Sequence, residues 1–297
     1  MRAQVNFLAD GRRLHLQDGP IDIILEAFGV AAEVKSAYDA AIRRFTTILD
    51  ELCQELLLLR AQAGPNTLKP TGTTAQRMAA AVAPYARRTF ITPMAAVAGA
   101  VAEEILQAMT SAAQLSKAYV NDGGDIALHL SPGEQFAIGM IDRPDRPSLF
   151  GSATLRATHP VRGIATSGWR GRSWSLGIAD AVTVLADTAT TADAAATIIA
   201  NAVDLTHHPN VRRAPARSLA PDCDLGDLLV TCEVGDLSTE EVNYALGSGA
   251  DVAQQLISES LIHSAALHLR GLTRIVSADN PKILLAQTHA DGSLIHA

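Results

Sequence analysis

Rings are rare in this sequence. Phenylalanine, tryptophan and tyrosine make up 4% of its 297 residues, and much of the 48% hydrophobic fraction is alanine. Cysteine is rarer still. Cys53, Cys223 and Cys232 stand at spacings that match no zinc or redox motif, which points to reduced thiols in a cytosolic protein. Excess positive charge is absent. A net charge of −7 argues against general affinity for nucleic acid or an anionic membrane. An anionic ligand would therefore need a local positive site, a helix N-terminus or a metal ion. Long apolar runs are missing: the longest, residues 94–102, is far too short to cross a bilayer. Residues 1–19 are polar and strand-like and lack the apolar core and cleavage site of a secretory signal, so the expected location is the cytoplasm, with no membrane partner. Histidines do not cluster. His263 and His268 are five apart and so do not share a helix face, and His207-His208 precedes Pro209 in a polar loop expected to be solvated. A single zinc site is not expected.

What is present is an ordinary globular balance, with 19% charged residues. The length fits one large domain or two small ones, able to bury a core without disulfides or metals as staples. Apolar stretches at 6–9 and 14–16 flank Asp10-Gly11, a hairpin signal, and a third strand is predicted over 21–28. Val34, Tyr38, Ala41, Phe45, Ile48, Leu52, Leu56 and Leu59 recur every three or four residues and predict one long helix, closed by Gly64-Pro65. Shorter alanine-rich helices are expected near 76–86 and 95–112, and fit close helix packing and a homodimer. Short strands follow at 118–121, 125–130, 135–141, 152–157, 174–178 and 182–186, with an exposed turn at 142–147 and a helix over 191–204. A strand at 228–234, capping-box spacing at Ser238-Thr-Glu-Glu241, a helix over 251–269 and strands near Arg274 and Ile283 close the chain. Helices and antiparallel strands without strict βαβ alternation give an α+β class, with mixed, largely antiparallel sheets and packed helices. The expected organisation is a single domain over 1–297: the hairpin and long helix in 1–64, core motifs in 92–204, and a C-terminal α/β part in 222–297.

Three segments could carry chemistry. Asn121-Asp-Gly-Gly-Asp-Ile126 lets backbone approach a ligand closely or make a tight turn, and taken alone a plain turn is the simpler account. Gly163-Ile-Ala-Thr-Ser-Gly168 places hydroxyls beside glycine at a strand end, where N–H and O–H donors can meet phosphate; it is not a nucleophile elbow, because Ala165 stands where that motif needs glycine. On the helix after Val182-Thr-Val-Leu-Ala186, Asp193, Thr197 and Asn201 lie four apart and share one face. A carboxylate and a hydroxyl one turn apart can hold a hard cation such as Mg²⁺, which takes oxygen ligands and keeps positions open for phosphates. An acid early in a helix is also favoured simply by the dipole.

Taken in order, Gly-Gly-Asp-Ile (123–126), Ala-Thr-Ser-Gly (165–168), Val-Thr-Val-Leu-Ala (182–186) and Ala-Asp-Ala-Ala-Ala-Thr (192–197) resemble the ApbE-like family, which includes FAD:protein FMN transferases. The likeness is nearest to an uncharacterised cytosolic branch with the stretch Ser-Leu-Gly-x-Ala-Asp-Ala-Val-Thr-Val (175–184), and is specific from about residue 92 to 201. It implies a T-fold-related architecture. It implies Mg²⁺ on Asp193, Thr197 and the backbone carbonyl of Val97, with the family's acid at Glu103. It implies a flavin-nucleotide pocket lined by Gly123, Gly124, Asp125, Thr166, Ser167 and Gly168. The family reaction splits the pyrophosphate of FAD, passes FMN to a Ser or Thr hydroxyl of an acceptor protein, and releases AMP. Two departures stand out. The family's lysine is Ala98, and its Ser-His-x-x-Asp-Pro-x-Thr-Gly segment is absent, so the chain runs from Ser175-Leu-Gly177 straight to Ala179-Asp180. General-base duty would then fall to Asp180, Asp125 or another group. The expected functions are Mg-dependent chemistry at a flavin-nucleotide pyrophosphate, binding of a flavin or related cofactor without chemistry, or a divergent biosynthetic enzyme with another substrate.

Overall fold

The amino-terminal part forms a sheet and then its covering helix because its apolar residues switch from period two to period four. The computed structural model describes residues 3–141, 149–278 and 295–296. The exposed turn expected at 142–147 and the strand near Ile283 lie outside those residues. By contacts the chain forms two units: Met1–Phe136, Leu155–Ile164 and Asp187–Asp193 make the first, and Ala137–Thr154, Ala165–Ala186 and Ala194–Ala297 make the second. Its class is α+β.

In the first unit, β1 (Gln4–Phe7), β2 (Leu14–Asp18) and β3 (Ile21–Phe28) run antiparallel. Leu14, Leu16, Ile23 and Leu25 alternate along β2 and β3 and are fully buried, as one covered sheet face requires. The hairpin pairs Phe7 with Leu14. Asp10 closes the intervening loop by accepting the N–H groups of Arg12 and Arg13. The buried stripe of α1 (Ala31–Gln54), with Phe45 and Ile48 at its centre, covers this face. The helix predicted to continue through Leu59 instead breaks at Glu55 (φ −108°, ψ 12°), and α2 (Leu56–Leu59) is separate. Glu55 spends its carboxylate on the N–H groups of Thr71 and Gly72, at the entry to α3 (Thr73–Val82). A short 3₁₀ turn, Pro93–Ala96, leads into α4 (Val97–Ala112), whose Ala100, Val101, Ile105 and Met109 complete the core. Then β4 (Lys117–Asp122) pairs with β3, and β5 (Asp125–Leu130) pairs with β4, both antiparallel.

The next strands are β6 (Gln135–Ile141), β7 (Leu149–Arg156), β8 (Gly163–Ser167) and β9 (Ala181–Ala186). Gly163-Ile164 at the start of β8 pairs with β5 in the first unit. The second unit holds the sheet order β8-β9-β12-β13. Its remaining elements, after α5 (Ala189–Ala202), are β10 (Val211–Pro215), α6 (Ala216–Leu219), β11 (Leu229–Val234), α7 (Thr239–Ser258), β12 (Ser264–Leu269), β13 (Leu272–Ser277) and β14 (Ile295–His296). β10 and β11 form an antiparallel pair, and β14 joins β6 and β7.

Three sequence expectations need correction here. The helix expected over 251–269 begins twelve residues earlier, at Thr239 behind the Ser238 cap, and ends at Ser258. Residues Ser264–Leu269 are instead β12, buried along its whole length and paired antiparallel with β9 and β13. A strand covered on both faces loses its alternation and reads like a helix segment. Residues 174–178 are loop, not strand: the Ser175 hydroxyl and the Leu176 N–H both donate to Asn201 Oδ1 rather than to a neighbouring strand. His208 is not simply solvated, because its Nε2 lies 2.9 Å from Glu241 Oε1.

Candidate functional site

Two helix beginnings and one hairpin turn gather the candidate carboxylates of the first unit. α4 starts without a side-chain cap of its own, so its first N–H groups need an outside acceptor. Asp193, on α5, supplies it: Gly99 N–H donates to Asp193 Oδ2 at 3.0 Å. The service is returned, since Glu103 on α4 accepts the Thr190 N–H at 2.7 Å through Oε1. Its other oxygen meets Arg77 Nη1 at 3.0 Å. The two helix starts come so close that a Cβ on Gly99 would sit 2.4 Å from the Ala189 carbonyl oxygen, so only glycine fits.

The Asp193 carboxyl is pushed up from its ordinary 3.8 to about 7. Burial is the main cause and the nearby negative charge of Asp122 adds to it, against the Gly99 and Ala98 N–H groups, which hold it down. Asp122 ends β4. It pairs with Asp125 across a tight turn made by Gly123 (φ 65°) and Gly124 (φ 115°), and Gly124 N–H donates to Asn121 Oδ1 at 2.8 Å. Asp122 and Asp125 are both buried. The turn reading of Gly-Gly is therefore right for the backbone, while the acids beside it remain to be explained. Asp122 is the residue that sequence reasoning passed over. Its signal is an acid on each side of a two-glycine turn, a place where loops commonly carry solvated acids. Val97 is the first residue of α4, with helical backbone (φ −70°, ψ −45°). Its carbonyl therefore runs along the helix axis, and one lone pair remains for an outside partner. Thr197 follows Asp193 by one turn of α5 and is partly exposed.

In the second unit, Thr166 and Ser167 end β8. Thr166 Oγ1 lies 2.9 Å from Thr183 Oγ1 on β9, and Gly168 is buried. Asp180 is 6% exposed and heavily engaged. Its Oδ1 accepts from Arg170 Nε at 2.6 Å and Trp169 Nε1 at 3.1 Å, and its Oδ2 accepts from the Arg270 N–H at 2.7 Å. Both oxygens of this carboxylate are thus committed, one of them to an ion pair. Asn201, the third residue of the face shared with Asp193 and Thr197, is likewise committed to Ser175 and Leu176.

Among the described residues, no three His, Cys, Asp or Glu side chains group as a metal cage. A cation here would have to be held by few protein oxygens and would keep positions open, the habit of Mg²⁺. The donors fit that group, since the Asp193 carboxyl is crowded by a like charge that a cation would offset. A concavity of about 630 Å³ lies elsewhere in the first unit. It is lined by Arg44, Thr73, Arg77, Glu104 and Gln107 among others, and includes none of the candidate residues.

A protein-family model described as "AbpE bacteria" matches residues 5–275. The chain belongs to this ApbE-like family. A UPF0280 protein of Methanopyrus kandleri is 32% identical over 199 residues, covering 66% of this chain and 76% of that protein. A UPF0280 protein of Methanococcoides burtonii is 36% identical over 126 residues, 39% of this chain and 48% of that protein. The chain thus spans about three quarters of the first relative and about half of the second. Among solved structures, the flavinyl transferase ApbE of Pseudomonas stutzeri in its apo form is similar at a TM-score of 0.48 and 10% identity, over 95% of each chain. A mutant flavin transferase ApbE of Vibrio cholerae is similar at a TM-score of 0.48 and 11% identity, over 96% of this chain and 100% of that one. Among the described residues of this ApbE-like chain, no helix is long and apolar enough to cross a membrane.

Proposed function

We propose that this ApbE-like protein binds a flavin nucleotide together with a divalent cation, and that Asp193 is the cation's carboxylate ligand. The observation that carries the reading is the Asp193 carboxyl itself. It is partly buried, raised to about 7, and set against the charge of Asp122. Buried carboxylates that perturb one another are characteristic of sites where a cation, substrate or proton completes the charge balance. The Val97 carbonyl and the Thr197 hydroxyl are the further oxygen donors in this proposal, and Mg²⁺ is the cation their chemistry suits. When bound, the cation would offset phosphate charge during cleavage of a pyrophosphate.

The protein's own residues then have separate tasks. The Gly123-Gly124 turn brings bare backbone to the ligand, with Asp125 beside it. The Thr166 and Ser167 hydroxyls and the Gly168 backbone are the further nucleotide-binding groups that the family resemblance proposes. Asp180 is proposed as a positioning group for Trp169 and Arg170. Asp125 is the acid proposed to receive a proton from an attacking hydroxyl. In the catalytic form of the reading, the FAD pyrophosphate is split, FMN passes to a Ser or Thr hydroxyl of an acceptor protein, and AMP leaves. A second form, in which the flavin nucleotide is held without being cleaved, is favoured by the saturated Asp180 carboxylate and by alanine at position 98 where the family has lysine.

The deciding experiment is FAD binding to the purified protein with and without Mg²⁺, followed by chromatography for AMP and FMN. Metal-dependent binding with AMP release supports the enzyme, and metal-dependent binding without release supports the carrier. An absence of FAD binding at any Mg²⁺ concentration would overturn both.

A further inference from the structure

Both tryptophans of the chain fall within six residues, Trp169-Arg170-Gly171-Arg172-Ser173-Trp174, in a protein that is 4% aromatic and carries a net charge of −7. This loop is fixed at both ends. At its start, Trp169 N–H donates to the Ala179 carbonyl at 3.0 Å, and Trp169 Nε1 and Arg170 Nε both reach Asp180 Oδ1. The Arg170 guanidinium also lies 4.3 Å from the centre of the Trp169 ring. At its end, Ser175 is 3% exposed and bonded to Asn201 together with the Leu176 N–H.

Between those anchors the loop faces solvent. Residues 171–174 are exposed, Trp174 at 40%. Arg172 makes no hydrogen bond or ion pair among the described residues. A ring partly in water on a loop fixed at both ends, two residues from an exposed guanidinium, is a surface that can receive a ligand without rearranging. The chemistry of the pair selects the ligand. An indole face takes a planar heterocycle, and a guanidinium takes a phosphate through two parallel N–H bonds. We propose that residues 169–174 form a nucleotide-anchoring loop, in which Trp174 stacks on the planar ring of the ligand, Arg172 binds its phosphate, and Asp180 with Arg170 and Trp169 is the rigid footing. It rests on the flavin-nucleotide reading in so far as the ligand is a flavin nucleotide, and it assigns that ligand's ring and phosphate to residues that no family motif marks.

The placement of both indoles makes the test direct. Tryptophan emission of the full chain is titrated with FAD, FMN, riboflavin and ADP, with and without Mg²⁺, while bound FAD is measured separately by equilibrium dialysis. The wild type is expected to be quenched by all four ligands, since each carries a planar ring. Trp174→Ala should weaken each by about tenfold, and Trp174→Tyr should restore most of the loss. Arg172→Ala should weaken the three phosphate-bearing ligands by about tenfold and leave riboflavin unchanged. Unaltered melting temperatures would show that the exposed substitutions leave the fold intact. FAD affinity that is equal in wild type, Trp174→Ala and Arg172→Ala would overturn the loop's role and leave the flavin reading standing. ADP bound through the loop without any FAD binding would overturn the flavin reading and support the loop. Binding of none of the four ligands would overturn both.

Discussion

Asp193 is the carboxylate at the centre of the proposed cation site, and its raised proton affinity gives it a signature. Because its carboxyl is raised from 3.8 to about 7 in the fold, the folded state keeps a proton that the unfolded state has already released. Its contribution to stability is therefore full below about pH 4 and is lost as pH rises through 7. Asp193→Asn keeps an acceptor for the Gly99 N–H and removes the titration. In metal-free protein, the melting temperature of Asp193→Asn relative to wild type should climb between pH 4 and 7 and then level off. A flat difference would show that the carboxyl titrates normally. Added Mg²⁺ should stabilise the wild type above pH 7 and leave the variant unmoved. Glu104 shows the opposite arrangement. Burial raises its carboxyl, but the Arg44 hydrogen bond, with Thr73 and the charges of Arg44 and Arg77, brings it below the ordinary value. Arg44→Met should cost roughly 1–3 kcal/mol in urea unfolding at neutral pH, with the deficit shrinking as acid protonates Glu104. At this scale the sequence was partly legible. Asp193 and the Gly-Gly turn stood out by type and spacing. Asp122 did not, because its influence on Asp193 exists only after β4 and α5 come together. The partners of Asp180, which are Trp169, Arg170 and the Arg270 N–H, were likewise not legible, because they meet only in the fold.

At the scale of elements, the exchange of carboxylates between α4 and α5 joins the two helix starts. Gly99→Ala would force a methyl group against the Ala189 carbonyl, and should destabilise the protein by roughly 1–3 kcal/mol while weakening Mg²⁺ binding through displaced Asp193. Wild-type metal affinity in that variant would separate the helix contact from the cation site. Ser238→Ala removes half of a capping box that was readable in the sequence, and should cost about 1 kcal/mol in urea unfolding without affecting ligand binding. Capping chemistry is local, which is why that helix start was legible. Its end was not. The strand Ser264–Leu269 is buried on both faces, so its sequence carries no alternation to set against a helical period.

For the whole molecule, composition and periodicity gave the α+β class and most of the antiparallel meander, since a sheet covered on one face by α1 leaves a clear pattern of two. The partition of contacts into Met1–Phe136, Leu155–Ile164 and Asp187–Asp193 against the rest was not legible. Nothing in a linear pattern tells that a seven-residue stretch, Asp187–Asp193, rejoins a body last left at Ile164. Phe45→Ala, at the centre of the first unit's core, should cost about 3–5 kcal/mol in urea unfolding. That partition also has a consequence for synthesis. The amino-terminal body lacks its last piece, with the carboxylate that caps α4, until residue 193 has been made. At about 5–20 residues per second, the nascent chain waits roughly 3–11 s between residues 136 and 193. For that interval the ribosome holds a half-built sheet whose α4 has no cap.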